Sequence, residues 1–260
     1  MNTNNRISNI AKGCIVVALG FLCMVSSTQA AVIALWKFDG TGTGLTDDSS
    51  GNGHTLANSG VTYDAGNAPV GGGTGSALFN GSSILNTVAT LDLTSYTQLT
   101  IDWYMLPTMS TSTTLGIVWE QSANYNLNPG AVIATVGNTA NAVQTVQKTP
   151  ASILYSAGPA PGGTVTGAWH HYTMTLNTTS LAATTIKLAI DGVSQGTSTG
   201  AGAATISDVF FIGARSGGTF SFSGNIDELS ITGVVPEPAP VAMLLFSGLG
   251  AAYFARKRKN

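Results

Sequence analysis

Residues 209–232 read VFFIGARSGGTFSFSGNIDELSIT. Two runs rich in apolar and aromatic residues, 209–213 and 224–231, flank a segment of Gly, Ser and Thr. Runs of this kind bounded by turn formers predict two β-strands joined through a turn. Just upstream, residues 168–177 read AWHHYTMTLN and residues 186–192 read IKLAIDG. Alternation puts His170, Tyr172, Met174 and Leu176 on one face, and Ile186, Leu188 and Ile190 on one face. The pair Asp191-Gly192 is a strong tight-turn signal.

The same period recurs outward along the chain. Over residues 32–39, Val32, Ala34, Trp36 and Phe38 share a face, with Leu35, Lys37 and Asp39 opposite. Residues 99–107 place Leu99, Ile101, Trp103 and Met105 together, and Pro107 ends that strand. Residues 115–120 place Leu115, Ile117 and Trp119 together. Shorter candidate strands lie at 131–136 and 152–155, in a stretch whose loops are expected to carry specificity. About twelve strands at this spacing predict an all-β fold, a two-sheet antiparallel jelly-roll sandwich. Its predicted inward residues are Trp36, Phe38, Phe79, Trp103, Tyr172, Leu188, Phe211 and Leu229.

Charge is scarce, at 8% of 260 residues, and unevenly spread. Residues 31–233 hold Lys37, Lys148, Lys187 and Arg215 against eleven acids, a net charge of −7. A domain that acidic lacks the footprint of a nucleic-acid binder. Both cysteines, Cys14 and Cys23, fall in the N-terminal apolar run, and neither is preceded by a good lipidation motif. The domain that follows has no cysteine and cannot form a disulfide.

The pieces around residues 168–232 stand in a familiar order: Trp-His-His, a strand ending Asp-Gly, a strand ending Ile-Gly, then Phe-x-Gly-x-Ile-Asp-Glu. Together they resemble the C-terminal half of a laminin G-like domain of the concanavalin A-like lectin/glucanase superfamily. The N-terminal half is similar too. Residues 38–40 read FDG, residues 48–53 read DSSGNG, and residues 77–81 read ALFNG, with Asn80 where the family more often has Asp. The resemblance implies a lectin-like sandwich over 31–233. It also implies that the Asp48 loop, the end of the first strand and Asp227 converge on a structural calcium ion, held by Asp39, Asp48, Asn52 and Asp227. The other reading of these residues is turn formation and capping.

The two ends read as separate modules. Residues 1–30 run from a polar segment with Arg6 and Lys12 through an apolar run to Thr28-Gln29-Ala30, the layout of a signal peptide and its helix cut after Ala30. Residues 234–260 hold Pro236-Glu237-Pro238, an apolar run at 241–255, and Arg256, Lys257, Arg258 and Lys259. This resembles the PEP-CTERM sorting signal of Gram-negative bacteria. It implies a short transmembrane helix, a basic end held in the cytoplasm, processing by an exosortase-type enzyme, and a final place at the surface or in the matrix.

No arrangement of residues points to catalysis. Retaining glycoside hydrolysis needs two carboxyl groups about 5–5.5 Å apart, and the Glu-x-Asp-x-x-Glu motif of laminarinase-type members is absent. Asp227 and Glu228 are neighbours and point to opposite faces of a regular strand. Glu120 has no other acid within six residues. His170, His171 and Tyr172 would suit a lyase, but they fall where the family has a structural Trp-His-His. Sugar recognition would instead use exposed aromatics, for which Tyr63, Tyr104, Tyr125 and Tyr155 are candidates. The expectation is an exported, non-catalytic module that binds or lies within extracellular polysaccharide. A protein-binding adhesive module and a glycan-degrading enzyme are the alternatives.

Overall fold

The computed structural model describes residues 30–109, 115–137, 143–150, 153–156 and 167–236. Its strands, in chain order, begin with β1 (Ala31–Trp36), β2 (Leu56–Ser59), β3 (Thr62–Ala65), β4 (Gly75–Asn80), β5 (Ile84–Thr87) and β6 (Leu91–Asp92). There follow β7 (Gln98–Pro107), β8 (Gly116–Gln121), β9 (Val132–Val136), β10 (Val143–Lys148), β11 (Ile153–Ser156) and β12 (His170–Asn177). The last are β13 (Thr184–Ile190), β14 (Val193–Gly200), β15 (Ser207–Asp208), β16 (Phe210–Ile212) and β17 (Ser223–Val234).

These strands build two antiparallel sheets. The first runs β14-β13-β12-β7-β17-β4-β3, with β1 also on β17; the second runs β11-β10-β9-β8-β16-β5-β2. The short pair β15-β6 stands apart. The two strands read from residues 209–232 both form, but in different sheets: β16 in the second and β17 in the first. Between them Gly213 has φ +86, and a Cβ there would lie 2.1 Å from the Phe79 ring. Only glycine fits that corner.

β17 is the spine of the first sheet. One edge pairs with β7 along its length. The other pairs with β4 over Ser223–Ile226 and with β1 from Leu229 onward. In between, from Asp227 to Ser230, the register against β7 jumps, a β-bulge.

The core lies between the sheets, as the alternation predicts. Leu99, Ile101, Trp103 and Met105 of β7 are all buried. A chain of aromatic contacts joins the sheets: Tyr172 stacks on Trp103, Trp103 meets Trp119 edge-on, Trp119 stacks on Phe210, and Phe210 stacks on Trp36. Burying one such side chain contributes roughly 1.5–3 kcal/mol. Three polar atoms in this chain, Trp103 Nε1, Trp119 Nε1 and Tyr172 Oη, have no partner, which costs some of that gain.

The structure corrects three expected faces. Val32 is 48% exposed, because a register shift between Val32 and Ala34 turns β1 and puts Ile33 inside. Phe211 pairs with Glu120 and lies opposite the main core, which takes Phe210 and Ile212 instead. On β8 a register shift between Ile117 and Trp119 splits the predicted row. Val118 and Trp119 enter the main core, while Ile117 joins a second cluster with Tyr125, Ala131, Ile133 and Val146 on the outside of the second sheet. The compact unit is Ala30–Pro236, a few residues longer than read from the sequence. The segments expected to form a signal helix and a transmembrane helix, with Glu237, Pro238, Arg256, Lys257, Arg258 and Lys259, lie outside the described residues. No helix among the described residues is long and apolar enough to cross a membrane.

Candidate functional site

The bulge on β17 positions the most unusual carboxylate of the molecule. Asp227 falls where one edge of β17 has left β4 and has not yet met β1. Its side chain is fully buried, yet neither Oδ1 nor Oδ2 accepts a well-formed hydrogen bond, the Glu228 N–H giving only a weak pull. Burial pushes its pKa up to about 8, helped by the charges of Glu228 and Asp39. Segment 69–73 covers it: a Cβ on Gly72 would stand 2.8 Å from Asp227 Oδ2, and one on Gly73 would overlap the Asp39 carboxylate. Thr74 fastens the segment, donating its N–H to Asp39 Oδ1 (3.0 Å) and its hydroxyl to the Asp39 carbonyl.

Two residues without glycine's freedom adopt left-handed backbone beside this pair: Phe38 (φ +55), next to Asp39, and Glu228 (φ +47), next to Asp227. Each costs of order 1–3 kcal/mol, and such strain gathers where a side chain must be aimed. An unpaired buried carboxylate beside a second one, under a loop of glycines, suits a hard cation with oxygen ligands. Among the described residues no three His, Cys, Asp or Glu side chains gather as a metal-binding group. Backbone carbonyls or water would therefore have to complete the shell around Asp39 and Asp227.

Asp48 and Asn52 lie against β1, Asp48 at Leu35 and Asn52 at Val32 and Ile33. Asp48 Oδ1 accepts the N–H of Leu35 (3.0 Å) and of Ser50 (2.9 Å), and Oδ2 accepts that of His54 (2.9 Å). Burial alone would raise its pKa; the Ser50 hydroxyl and these amides outweigh burial and hold it below the ordinary carboxylate range. Asn52 donates its amide to the carbonyls of Val32 and Ile33. These two side chains pin a loop to a strand, the turn-forming role.

Of the tyrosines, Tyr104 stands on the outer face of the first sheet. It stacks on His171 with ring centroids 4.7 Å apart and lies across the ladder from Asp227. His171 Nε2 is 3.3 Å from Asp102 Oδ1, which also accepts the Thr173 hydroxyl. Asp191 accepts the His171 N–H and holds His170 Nδ1 at 2.6 Å. Burial would raise the Asp191 pKa, but the bonds from His170 and His171 dominate and lower it. Asp191 and Gly192 both have positive φ, the turn the sequence signalled. Tyr63 ties down the loop over Asp227 through Thr74, its hydroxyl 2.8 Å from Thr74 Oγ1. Tyr125 is buried, with Arg215 5.0 Å and Lys148 5.7 Å from its ring centre. Tyr155 lies on β11, paired with Val146.

Glu120 is fully buried on the outer side of the second sheet, with Arg215 Nε donating to its Oε2 at 2.9 Å. Burial raises its pKa against the pull of Arg215. No sequence pattern singles out Arg215. Nothing local marks it, since its partners Glu120 and Tyr125 come from about a hundred residues upstream.

A two-sheet antiparallel sandwich with a bulged central strand and a loop folded over one buried acid, Asp227, is the fold of a concanavalin A-like domain. The chain belongs to the concanavalin A-like lectin/glucanases superfamily: its laminin G family model matches residues 71–242. No curated protein sequence matches. Among solved structures, the chain is similar to domain 4 of an extracellular GH43 arabinanase from Geobacillus stearothermophilus, solved with arabinotriose. Identity is 21% and the TM-score 0.55, over 80% of this chain and 95% of that one. It is also similar to the receptor-binding domain of a mosaic C/D botulinum neurotoxin, at 12% identity and TM-score 0.57, over 80% of this chain and 48% of that one. The corresponding type C neurotoxin structure, described as dependent on two ganglioside molecules for cell entry, gives 15% and 0.56, over 84% and 51%. The chain thus spans about half the length of the neurotoxin domains it matches. At these identities the likeness is one of fold.

Proposed function

We propose that the protein is an exported, non-catalytic glycan-binding module that works at the cell surface or in the extracellular matrix. The observation that carries this reading is the Tyr104–His171 stack on the outer face of the first sheet, flanked by Asp102 and Asp191. A sugar ring lays its C–H face on an aromatic plane and donates its hydroxyls to neighbouring acceptors, and this surface supplies both. The arabinotriose complex of the arabinanase domain and the ganglioside dependence of the type C neurotoxin support a glycan as the kind of partner.

In this reading a calcium ion held by Asp39 and Asp227 fixes segment 69–73 beside the platform. When bound it supplies charge neutralisation for two close acids. Residues 1–30 and 234–260 serve export, transient anchoring and processing by an exosortase-type enzyme, as their resemblances imply.

The test is a glycan array with the full chain, with and without calcium, and with Tyr104→Ala. The expected result is binding to a defined set of glycans, lost in the variant. Binding to a partner protein but to no glycan would favour an adhesive role. Release of sugar products from a polysaccharide would overturn the non-catalytic reading.

A further inference from the structure

Tyr104 and His171 lie on the first sheet. The second sheet holds an unrelated cluster on its outer side. A cross-strand row there runs Asn86, Phe211, Glu120, Ile133 and Val146, each paired with the next. Above it stands Tyr125. Residues 31–233 contain four basic side chains, and two of them, Arg215 and Lys148, converge on this one ring. They come from distant parts of the chain, Lys148 from the end of β10 and Arg215 from the loop after β16.

In a domain of net charge −7, bringing two of four cations onto one ring is not a general consequence of solubility. Glu120 balances only one of them, and through one bond: its Oε2 accepts Arg215 Nε, while its Oε1, buried, has no donor. An arginine has five N–H donors in a planar fork, so fixing Nε orients the fork and leaves other donors to meet an anion. The same guanidinium carbon lies 5.2 Å from the ring centre of Phe220. Phe220 is 49% exposed and has φ +54, so the backbone accepts strain to hold an apolar ring at the surface. Arg215 is itself partly exposed, its side chain at 21%.

We propose that this cluster is a second binding site, and that it takes an acidic sugar unit, a pyranose bearing a carboxylate or a sulfate. Arg215 and Lys148 meet the anionic group, the exposed Phe220 ring takes the apolar ring face, and Glu120 holds the guanidinium in place. A neutral sugar would leave both cations unused; a small inorganic anion would leave Phe220 unused.

The experiment is calorimetric titration of the full chain with three probes of equal length: tetragalacturonate, a sulfated galactotetraose and neutral galactotetraose. At least one charged probe should bind about tenfold more tightly than the neutral one, and whichever does so distinguishes carboxylate from sulfate. The preference should fall severalfold as salt rises from 0.05 to 0.5 M. Lys148→Met should reduce it. The double variant Arg215→Met with Glu120→Gln, which removes both charges and leaves no buried carboxylate unpaired, should abolish it. Tyr104→Ala should leave it intact, so failure of the first-sheet platform and failure of this site read differently. Equal binding of all three probes, no binding of either charged probe, or a preference that survives Lys148→Met would overturn the proposal; that single variant decides if the double variant does not fold.

Discussion

At the scale of single residues, Asp48 and Asp227 show how one residue type serves opposite ends. The Asp48 carboxylate accepts three backbone N–H groups and is held in its charged form. Its pKa is lower in the folded than in the unfolded chain. The stability it contributes is therefore present above the unfolded value of about 4 and lost as pH falls through the folded value. Asp48→Ala should cost about 2 kcal/mol at pH 7, measured by urea unfolding, and the gap to the parent should shrink steadily between pH 5 and pH 2. A gap independent of pH would mean that Asp48 acts by packing alone. Trp103, fully buried between Tyr172 and Trp119, tests the core in the same assay: Trp103→Ala should cost about 3–5 kcal/mol. Its burial was legible in the sequence because β7 alternates without interruption. The alternation puts Phe211 one position out of phase because β16 is three residues long, too short for a period of two to declare its phase.

At the scale of elements, the decisive feature is the change of partner along β17. Regular alternation predicts that Asp227 and Glu228 point to opposite faces, and it says nothing of a bulge. The bulge falls where one edge of β17 passes from β4 to β1, and that change of partner depends on contacts of long sequence separation. Family resemblance alone names Asp39, Asp48, Asn52 and Asp227 together, and no local pattern shows that Asp48 and Asn52 bond the backbone of β1. Similarly, β14 reads VSQGTSTG and went unseen, because an edge strand of small polar residues has no apolar alternation. The bulge makes a crossing prediction. In excess chelator Asp227 is a buried acid without partners, so Asp227→Ala should melt no lower than the parent. With calcium at a hundred times its dissociation constant, the parent should gain about 2.7 kcal/mol and the variant nothing. Thermal melts of both proteins in chelator and in calcium would show the order reverse. If calcium shifts neither melt, Asp39 and Asp227 hold no ion.

At the scale of the whole molecule, the proposed sites lie on the outer faces of opposite sheets, so one core positions both and neither depends on the other's loops. The same architecture limits where the C-terminal tail can be cut. β17 is the last strand among the described residues but a central strand in its sheet, paired with β7, β4 and β1. Its final residue is still engaged: the Val234 carbonyl accepts the Thr97 N–H at 3.0 Å, and Val234 pairs with Gln98. Val235 and Pro236 are exposed beyond it. Processing on the C-terminal side of Pro236 therefore leaves every ladder bond in place, whereas a cut inside β17 removes the strand that joins β1 and β4 to β7. Two truncations follow from the proposal that residues 234–260 sort and anchor the protein. A chain ending at Pro236 should appear in the culture medium, no longer retained at the surface, and melt within a degree or two of the domain in the full chain. A chain ending at Ile226 should lose the pairing of β1 altogether and fail to accumulate. Surface retention of the first truncation, measured by fractionation, would mean that something other than the tail holds the protein to the cell. A lowered melt would mean that residues beyond Pro236 pack against the sandwich.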